Sequence, residues 1–516
     1  MSTCLKLSEE IKGQPFTMSS YPRFIELLGN NFAQLATSFS DVITAPSYNF
    51  QAARKEAKER FESYREVKLT WKTLISSPVK KSEYRLICKV HDVVYDLTEF
   101  KHPGGPISIG LAAGRDATGL FELHHPFTSR VRLQGILNKY KMQNQEEGKT
   151  LLLKNEDVPS VFEWKDLSKE ESGFAKELLT EVGAYFQNIA DKNGVSLLEA
   201  TKATPRRWCE MMFFFFSFVA MIPLYVSGYW FTIFLLPVFA WLYAAAISHD
   251  AMHFAISTNW KINVLMSYSS PWTASPLMWY HQHVIGHHIY PNVPFRDPDL
   301  AHAPGFIRLH ESIKYKSPHK YQSLSVWLVW TFGAALYMTI VPIKAIYQGA
   351  LNRAVTLSKI PKARVVLHVL GRLLTGFALW GWQWYVFQGD LPRQIAFTVV
   401  PILVHSFCFM LSTQFNHLTP ENITKSSKDF YEHQVITSHS FSMKSQLIFW
   451  FTGGLNVQIE HHLFPTVNHC HLIAISPIVT RLCKKYNIAY HESSSIFEAL
   501  GKHFKHVTNM SKRKVQ

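Results

Sequence analysis

Closely spaced histidines mark the central and C-terminal parts of this 516-residue chain, which contains 25 histidines. His249 and His253 are four residues apart, as are His283 and His287. That spacing places both side chains of a pair on one face of a helix, where they can bind one metal ion. A third group starts at Gln458 and ends in two adjacent histidines. Because each group follows an apolar run, which rarely happens three times by chance, the sequence predicts a metal site.

The adjacent histidines, His287 with His288 and His461 with His462, indicate more than one metal ion. Neighbouring residues of a helix point about 100° apart, so an adjacent pair suits two ions that share one site. Together with His417, eight histidines are available, which exceeds the roughly four ligands of a tetrahedral zinc ion. Imidazole also suits copper, iron and nickel. Nitrogen-rich ligation with open positions, at the ends of membrane helices, fits iron that activates dioxygen.

A further pair of histidines has the spacing of a haem site. His102 begins "HPGG", preceded by "VYDLTEF" and followed by "GRDATGLF" and a second histidine at His124 or His125. Two histidines from separate loops can ligate one haem from both faces and leave no open position, an arrangement suited to electron transfer. An ordinary turn with surface histidines is the competing interpretation, which the flanking segments disfavour.

Other histidines receive structural interpretations. His368 and His405 are predicted to be packed or capping residues, and His469 and His471 are predicted to lie at the surface. His281 is left out of the metal site.

Long apolar runs must position the histidine groups. Residues 211–247 contain no charged residue, which is too long for one crossing of about 20 residues and suits two crossings joined at 225–230. The stretches 373–387 and 395–413 are joined by a short link and predict a second hairpin. If all three later stretches crossed, the histidines before and after them would lie on opposite faces, so one stretch must lie in the membrane interface, and 324–343 is assigned that role.

Charge and cysteine content indicate on which side of the membrane the histidines lie. The net charge of +15 favours anionic partners, and the apolar runs select a lipid bilayer over nucleic acid. Arg206 and Arg207 precede the first run, as expected for a cytosolic flank. The opening residues lack a secretory signal, and the six scattered cysteines frame neither zinc nor disulfides. Both termini and the histidines are therefore predicted to be cytosolic.

Composition changes along the chain predict five segments. They are an N-terminal arm of unknown role (1–65), a small soluble haem-binding domain (66–148), a linker with an amphipathic segment (149–207), a membrane domain (208–500) and a basic C-terminal tail (501–516).

The segments "HDAMH", "HVIGHH" and "QIEHH" resemble the three histidine boxes of membrane fatty acid desaturases. Glutamine in place of the first histidine of the third box is similar to the front-end subfamily, which inserts a double bond between an existing one and the carboxyl end. Three residues, rather than two, separate the first histidine of the second box from its pair. The resemblance implies that Asp250 orients a ligand. It implies as di-iron ligands His249, His253, His283, His287, His288, His417, Gln458, His461 and His462.

Residues 66–148 resemble cytochrome b5, with His102 as one axial ligand. Fused domains of this kind typically read Phe-x-x-x-His-Pro, which here implies His125 as the second ligand, with His124 as its competitor. Front-end desaturases typically carry such a domain. The implied fold is multidomain: a small α+β haem domain, then an all-α integral membrane domain with about four transmembrane helices in two hairpins and a cytosolic di-iron cap.

The resemblances imply a front-end fatty acyl desaturase of the endoplasmic reticulum membrane. Its cofactors would be haem b and two iron ions, with dioxygen as co-substrate and electrons from NADH through cytochrome b5 reductase. The expected substrate is a polyunsaturated acyl chain on CoA or a phospholipid, and the Δ4, Δ5, Δ6 and Δ8 positions are all open. The alternatives are a di-iron fatty acyl or sphingoid-base hydroxylase and a non-catalytic membrane haem electron carrier.

Overall fold

A computed structural model describes residues 85–153, 160–164, 173–270, 275–352, 354–358, 362–377, 381–423 and 425–512. The predicted arm and the first residues of the predicted haem domain, 66–84, lie outside the described residues.

The haem domain starts with an antiparallel hairpin whose two-residue turn, His91 and Asp92, has φ values of 47° and 62°. Positive φ at both turn residues matches the right-handed twist of the paired strands. The hairpin buries Cys88, Val90 and Tyr95 against the helices that follow. The described elements are β1 (Ile87–Val90), β2 (Val93–Asp96), α1 (Gly105–Gly110), α2 (Thr118–His124), α3 (Arg130–Asn138) and α4 (Gln145–Thr150).

Helix α4 crosses the predicted end of the haem domain at residue 148. It continues to Thr150, and the Leu153 amide donates to the Gly114 carbonyl at 2.6 Å. Asn144 caps the helix, which packs on Val94.

The second domain is helical, with two short pairs of strands. Strands β3 (Ala350–Leu351) and β4 (Val355–Thr356) are antiparallel, and β5 (Ser440–Phe441) and β6 (Glu492–Ser493) are parallel. Its helices are α5 (Gly173–Asn193), α6 (Leu197–Ala200), α7 (Pro205–Val226), α8 (Thr232–Tyr243), α9 (His249–Met252), α10 (Trp260–Tyr268), α11 (Pro276–Trp279), α12 (Gln322–Gln348), α13 (Lys362–Gly376), α14 (Trp382–Val386), α15 (Leu391–Thr413), α16 (Phe430–Ile436), α17 (Gln446–Thr452), α18 (Gln458–Leu463), α19 (Leu472–Lys485) and α20 (Ile496–Met510).

Three helical segments among the described residues are long and apolar enough to cross a membrane: Pro205–Val226, Thr232–Met252 and Leu391–Asn416. The first two correspond to the predicted hairpin over 211–247. Thr204 caps the first segment by accepting from the Arg207 amide, and Pro205 fits the first helical position because its missing N–H would be unpaired there. The second segment runs from α8 through a π-helical turn, Ala244–Ser248, into α9.

Helix α12 lies against α15, and both of its ends lie beside the cap, the part of the protein that includes α20 and the haem domain. Ser406 of α15 donates to the Trp330 carbonyl at 2.7 Å and accepts from the Ala334 amide at 3.1 Å. At the start of α12, Gln322 donates to the Val507 carbonyl of α20 at 2.6 Å. Just beyond its end, the Thr356 carbonyl accepts from Arg115 of the haem domain at 3.0 Å.

Helices α13 and α14 lead from that cap to the opposite end of the bundle. His368 of α13 lies 2.5 Å from Ser275 Oγ, next to α11. Gln383 of α14 donates to the Tyr225 hydroxyl at 2.8 Å, near the end of α7. The predicted stretch 373–387 therefore begins inside a helix that starts at Lys362, and residues 378–380 are not described.

The C-terminal residues are packed rather than forming a basic tail from residue 501. Helix α20 runs through that boundary to Met510 and buries His503, His506 and Val507. His506 Nε2 lies 2.8 Å from the Leu309 carbonyl oxygen. The prediction of a tail was wrong because the lysines occupy only the outer face of an amphipathic helix.

Candidate metal centre and haem site

Four of the predicted ligands converge at one place. Ring nitrogens of His249, His253, His283 and His461 all lie within 4.8 Å of one another, and all four side chains are buried. His249 follows the π-helical turn in the second candidate span, and His283 lies in a second π-helical segment, Tyr280–His287. Such π-helical turns occur often at functional sites because they redirect side chains within a helix.

A second group lies beside the first and contains His287, His417 and His462, also buried and also within 4.8 Å of one another. His288 lies between the two groups: its Nε2 is 3.1 Å from His283 Nε2, and its ring stacks on His462 with centroids 4.3 Å apart. The adjacent residues His461 and His462 thus divide between the groups, as predicted from the divergence of neighbouring helical residues, and His287 and His288 point in different directions with ring planes 80° apart.

Hydrogen bonds at the outer ring nitrogens orient the second group. His417 Nδ1 donates to the Thr437 carbonyl at 2.9 Å, and His462 Nδ1 donates to Gln434 Oε1 at 3.0 Å. His287 Nδ1 lies 3.2 Å from an Asp297 carboxylate oxygen. With Nδ1 engaged, each ring keeps Nε2 for a ligand on the inner side, the arrangement that fixes histidine ligands of metals.

His469 orients a member of the first group in the same way, by contacting an outer ring nitrogen. The prediction that His469 lies at the surface was therefore wrong. It is 1% exposed, its Nδ1 donates to the Gly453 carbonyl at 2.8 Å, and its Nε2 lies 3.0 Å from His461 Nδ1. Since His469 Nε2 must then accept, His461 carries its proton on Nδ1 and presents an Nε2 lone pair inward. His471, also predicted at the surface, is 8% exposed and lies 2.8 Å from the Lys202 carbonyl oxygen.

The inward nitrogens fit bound metal ions. His461 Nε2, His462 Nε2 and both nitrogens of His253 are buried with no hydrogen-bond partner among the described residues. Leaving such a group unsatisfied typically costs about 1–3 kcal/mol, which ligation would offset. Burial also lowers the pKa of each of these three imidazoles well below 6.5, which keeps them in the neutral form that binds metals.

Asp250 lies behind the first group, but not as the direct partner of a ligand that the sequence predicted. Its carboxylate is 3.7 Å from His249 Nδ1, which is too long for a hydrogen bond. It accepts from Asn468 Nδ2 at 2.9 Å and lies 3.1 Å from His469 Nδ1. Asp250 therefore lies beside His469, the residue that contacts His461.

Gln458 presents its amide nitrogen, rather than its oxygen, to the second group. Its Nε2 lies 2.9 Å from His417 Nε2, while its Oε1 accepts from Asn416 Nδ2 at 3.0 Å. The Asn416 amide also donates to the carbonyls of Ser412 and Leu455, which fixes it as a donor and so fixes the orientation of Gln458. In this orientation Gln458 offers a hydrogen-bond donor, and its ligand role stays a prediction.

Substitution of Gln458 distinguishes the two roles. We expect Gln458→Ala to lower product formation sharply and Gln458→His to keep part of it, because the position can accept an imidazole. Gln458→Glu is the discriminating variant: a carboxylate can ligate but cannot donate when ionised, so a donor role predicts a loss as large as that of alanine. Iron content and fatty acid profiles of yeast expressing each variant provide the measurement. Parental activity in Gln458→Glu would favour ligation by oxygen.

In the haem domain, His125 rather than His124 faces His102. The ring centroids of His102 and His125 are 5.8 Å apart, close to the spacing of about 6 Å expected for two imidazoles with metal–nitrogen bonds of about 2 Å to one ion. His125 Nδ1 donates to the Phe121 carbonyl at 2.9 Å, which leaves Nε2 for iron. His102 Nδ1 lies 3.1 Å from Ser108 Oγ, so it is also held on its outer side.

Buried and aromatic contacts hold the haem domain against the helical domain. Glu122 of α2 is 3% exposed, accepts twice from Arg130, at 2.8 and 2.7 Å, and accepts from the Tyr431 hydroxyl of α16 at 3.3 Å. Trp260 covers Gly105 of the "HPGG" turn so closely that a Cβ there would lie 2.4 Å from the indole. A glycine is required at this position for a second reason, since its φ is +86°.

Several residues that orient the candidate ligands were not predicted from the sequence, for two different reasons. Asp297 and Asp299 follow the second box closely and could have been proposed as its partners. Thr437 and Gly453 act through backbone carbonyls, which every residue possesses, so no residue type signals them.

Comparisons with known proteins identify two families along the chain. Residues 224–494 match the family model described as fatty acid desaturase, and residues 70–144 match that of the cytochrome b5-like heme/steroid binding domain. The chain is 29% identical to acyl-lipid (8-3)-desaturase B of Dictyostelium discoideum, over 88% of this chain and 96% of that protein.

Other curated relatives carry related names. The chain is 27% identical to Delta(5) fatty acid desaturase A of Dictyostelium discoideum, over 81% of this chain and 89% of the relative. It is 25% identical to Delta(8)-fatty-acid desaturase 2 of Arabidopsis thaliana, over 78% and 84% of the two chains. No solved structure matches the chain.

Proposed function

Because this chain belongs to the fatty acid desaturase family, we propose that it inserts its double bond at the Δ5 position of a polyunsaturated acyl chain carried on a membrane lipid. The chain is an oxidoreductase of the desaturase class with a cytochrome b5-like domain, and its resemblance to front-end desaturases is confirmed by its curated relatives. Their printed names support the acyl-lipid substrate and the Δ5 position.

The convergence of two groups of inward-facing imidazole nitrogens carries the proposal of a two-iron site. The first iron would be held by His249, His253, His283 and His461, and the second by His287, His417 and His462. His288 lies where it can bind either ion. Iron bound there supplies dioxygen-dependent oxidation of an unactivated C–H bond, which no side chain can perform.

The residues of the chain have positioning roles in this reaction. His469, Gln434 and Thr437 hold ligand imidazoles at fixed angles through their Nδ1 atoms. The ligands are buried, so water is kept from the reacting centre. Two hydrogens leave neighbouring methylenes of the acyl chain, and reduction of dioxygen to two waters needs two further electrons and two protons.

We propose that those electrons reach the irons through haem b held by His102 and His125. With both axial positions filled by histidine, the haem would transfer electrons and would not bind dioxygen. NADH, acting through cytochrome b5 reductase, is the proposed external donor, and the family-level location is the endoplasmic reticulum membrane.

A feeding experiment tests the proposed function. Yeast expressing the chain is supplied with a panel of unsaturated acids of about 18 to 22 carbons, a range expected of the family, and double-bond positions are determined by mass spectrometry. We expect new Δ5 products in the phospholipid fraction before the acyl-CoA fraction, and none from a His283→Ala control. New double bonds only at Δ4, Δ6 or Δ8 would refute the position, and hydroxylated products would refute desaturation.

We also propose that four segments cross the membrane, with both termini and the histidine groups in the cytosol. Both ends of α12 lie beside the cap, which supports an interfacial position for this helix. Helices α13 and α14 lead from the cap to the end of α7, which supports a crossing that starts near Lys362. The three candidate spans supply the other crossings.

The native sequon at Asn422 cannot test this topology. Asn422 is fully buried, and its amide donates to the carbonyls of Ile436 and Ser438 at 3.0 and 2.8 Å, so it would escape glycosylation on either side. We therefore expect a long flexible insert with an Asn-x-Thr acceptor to be glycosylated after the exposed Gly389 and not after the exposed Ser426. A gel shift removed by endoglycosidase is the measurement, and the reverse pattern would contradict the proposal.

A further inference from the structure

The end of helix α2 meets the segment that follows α9 at the interface between the two domains. His124, which the haem site does not use, donates from Nδ1 to the Leu120 carbonyl at 2.9 Å. Its Nε2 is buried and has no hydrogen-bond partner among the described residues. The His124 ring points at Phe254 of the helical domain, with ring centroids 6.4 Å apart.

Phe254 directly follows the metal-site residue His253 and is held in an unusual conformation. Its φ is +56°, a left-handed value that is rare for a bulky side chain and points to a functional constraint. The ring stacks on Tyr280 with centroids 5.9 Å apart and planes 12° apart. Lys202 donates to the Phe254 carbonyl at 3.1 Å and to the Thr466 carbonyl at 2.9 Å, which fixes the backbone.

We propose that His124 and Phe254 form the electron bridge between the haem held by His125 and the metal group that contains His253. His124 is bonded to His125 through one peptide unit, and Phe254 is bonded in the same way to His253. The only through-space step in this route is then the contact between the two aromatic rings. This inference rests on the proposed function, because it presumes that haem and iron occupy their sites.

The electron balance of each transfer is simple. The haem iron is oxidised by one electron and the metal centre is reduced by one, and two such transfers serve one turnover. Between transfers the haem is reduced by the external donor, a reduced pyridine nucleotide acting through a flavoprotein reductase. No bond forms or breaks in His124 or Phe254, and neither ring is itself oxidised.

The other contacts between the domains have a different role. Glu122, Arg130 and Tyr431 form a buried hydrogen-bonded group that holds α2 against α16. Trp260 covers the "HPGG" turn but lies seven residues beyond His253, so it has no short covalent connection to a proposed ligand. Glu122, Arg130 and Tyr431 thus fix the orientation of α2. Phe127 stacks on Phe464 with ring centroids 5.6 Å apart, but each lies two residues from a proposed ligand. By contrast, His124 and Phe254 each directly adjoin a proposed ligand.

Stopped-flow measurement of haem reoxidation tests the bridge. The full-length holoprotein is reduced anaerobically and mixed with dioxygen in the presence of acyl lipid, and the haem absorption is followed. We expect His124→Leu and Phe254→Leu each to slow reoxidation several-fold, with parental haem spectra and iron content. Because both residues belong to one route, the double variant should be little slower than either single variant. Phe254→Trp should restore much of the rate, since an aromatic ring returns.

Trp260→Leu is the matched control, because it also removes an aromatic ring from the interface, and we expect it to reoxidise like the parent. Parental rates in both leucine variants would overturn the bridge, as would slowing by Trp260→Leu alone, which would place the route through the turn. Iron-free protein gives the background rate of haem autoxidation. If the parent protein reoxidised its haem no faster than that background, the proposed function itself would be contradicted. This outcome differs from failure of the bridge, and it also removes the premise of the bridge.

Discussion

Alanine at His461 is expected to abolish desaturation while the haem spectrum of the full-length protein stays that of the parent. The His461 Nε2 is buried, unpaired and directed into the first metal group, so its loss removes a ligand that no neighbour replaces. The haem histidines lie in another domain and keep their contacts. Iron content of the purified protein and fatty acid profiles of expressing yeast measure the effect.

Two further variants test whether the loss of activity comes from the metal site. His469→Ala removes the partner that orients His461, and loss of such a partner typically costs about 10–100-fold in metal affinity or activity. His506→Gln is the control, since His506 is also a buried histidine but contacts a carbonyl in the C-terminal packing. Near-parental desaturation by His461→Ala would contradict the two-iron site. A complete loss in His506→Gln would show that loss of activity does not distinguish a metal ligand from a structural histidine.

The second large effect concerns the haem. His102→Ala and His125→Ala are each expected to abolish the six-coordinate, low-spin spectrum of the full-length protein, because each removes one of two axial ligands. His124→Ala should keep that spectrum, since its ring is directed toward Phe254 and away from His102. Absorption spectra of the oxidised and dithionite-reduced protein provide the measurement. A reversed result for His124 and His125 would show that the second ligand is displaced by one residue.

The grouping of the candidate histidines could be predicted from the sequence because their spacing is visible in it. Histidines four apart after an apolar run, and adjacent histidines that must diverge, predicted the two groups that the structure brings together. The orientation of each ring was not predictable, because it depends on distant partners such as His469 and the Thr437 carbonyl. The same holds for Gln458, whose amide is oriented by Asn416.

The helix in the basic C-terminal segment was not predicted. The lysines after residue 501 were interpreted as part of a tail, yet residues 496–510 form a helix with one buried face. Composition alone cannot reveal a face that is buried against residues far away in the chain. The interfacial position of 324–343 stays a prediction, which rests on requiring all histidines to share one side, a constraint independent of composition.

The packing of α20 on α12 has a consequence for the order in which the protein is made. Trp330 is 1% exposed because His503 and Phe504 cover it, with ring centroids 5.5 and 5.9 Å away. The ribosome must synthesise roughly 150 further residues after α12 before it reaches α20, which takes about 8–30 s at 5–20 residues per second. During that interval the indole lacks the cover of α20 and has only residues that precede α20, such as Trp327 and Phe407, beside it. A nascent chain stalled at residue 500 would therefore expose an apolar surface to the quality-control machinery of the membrane.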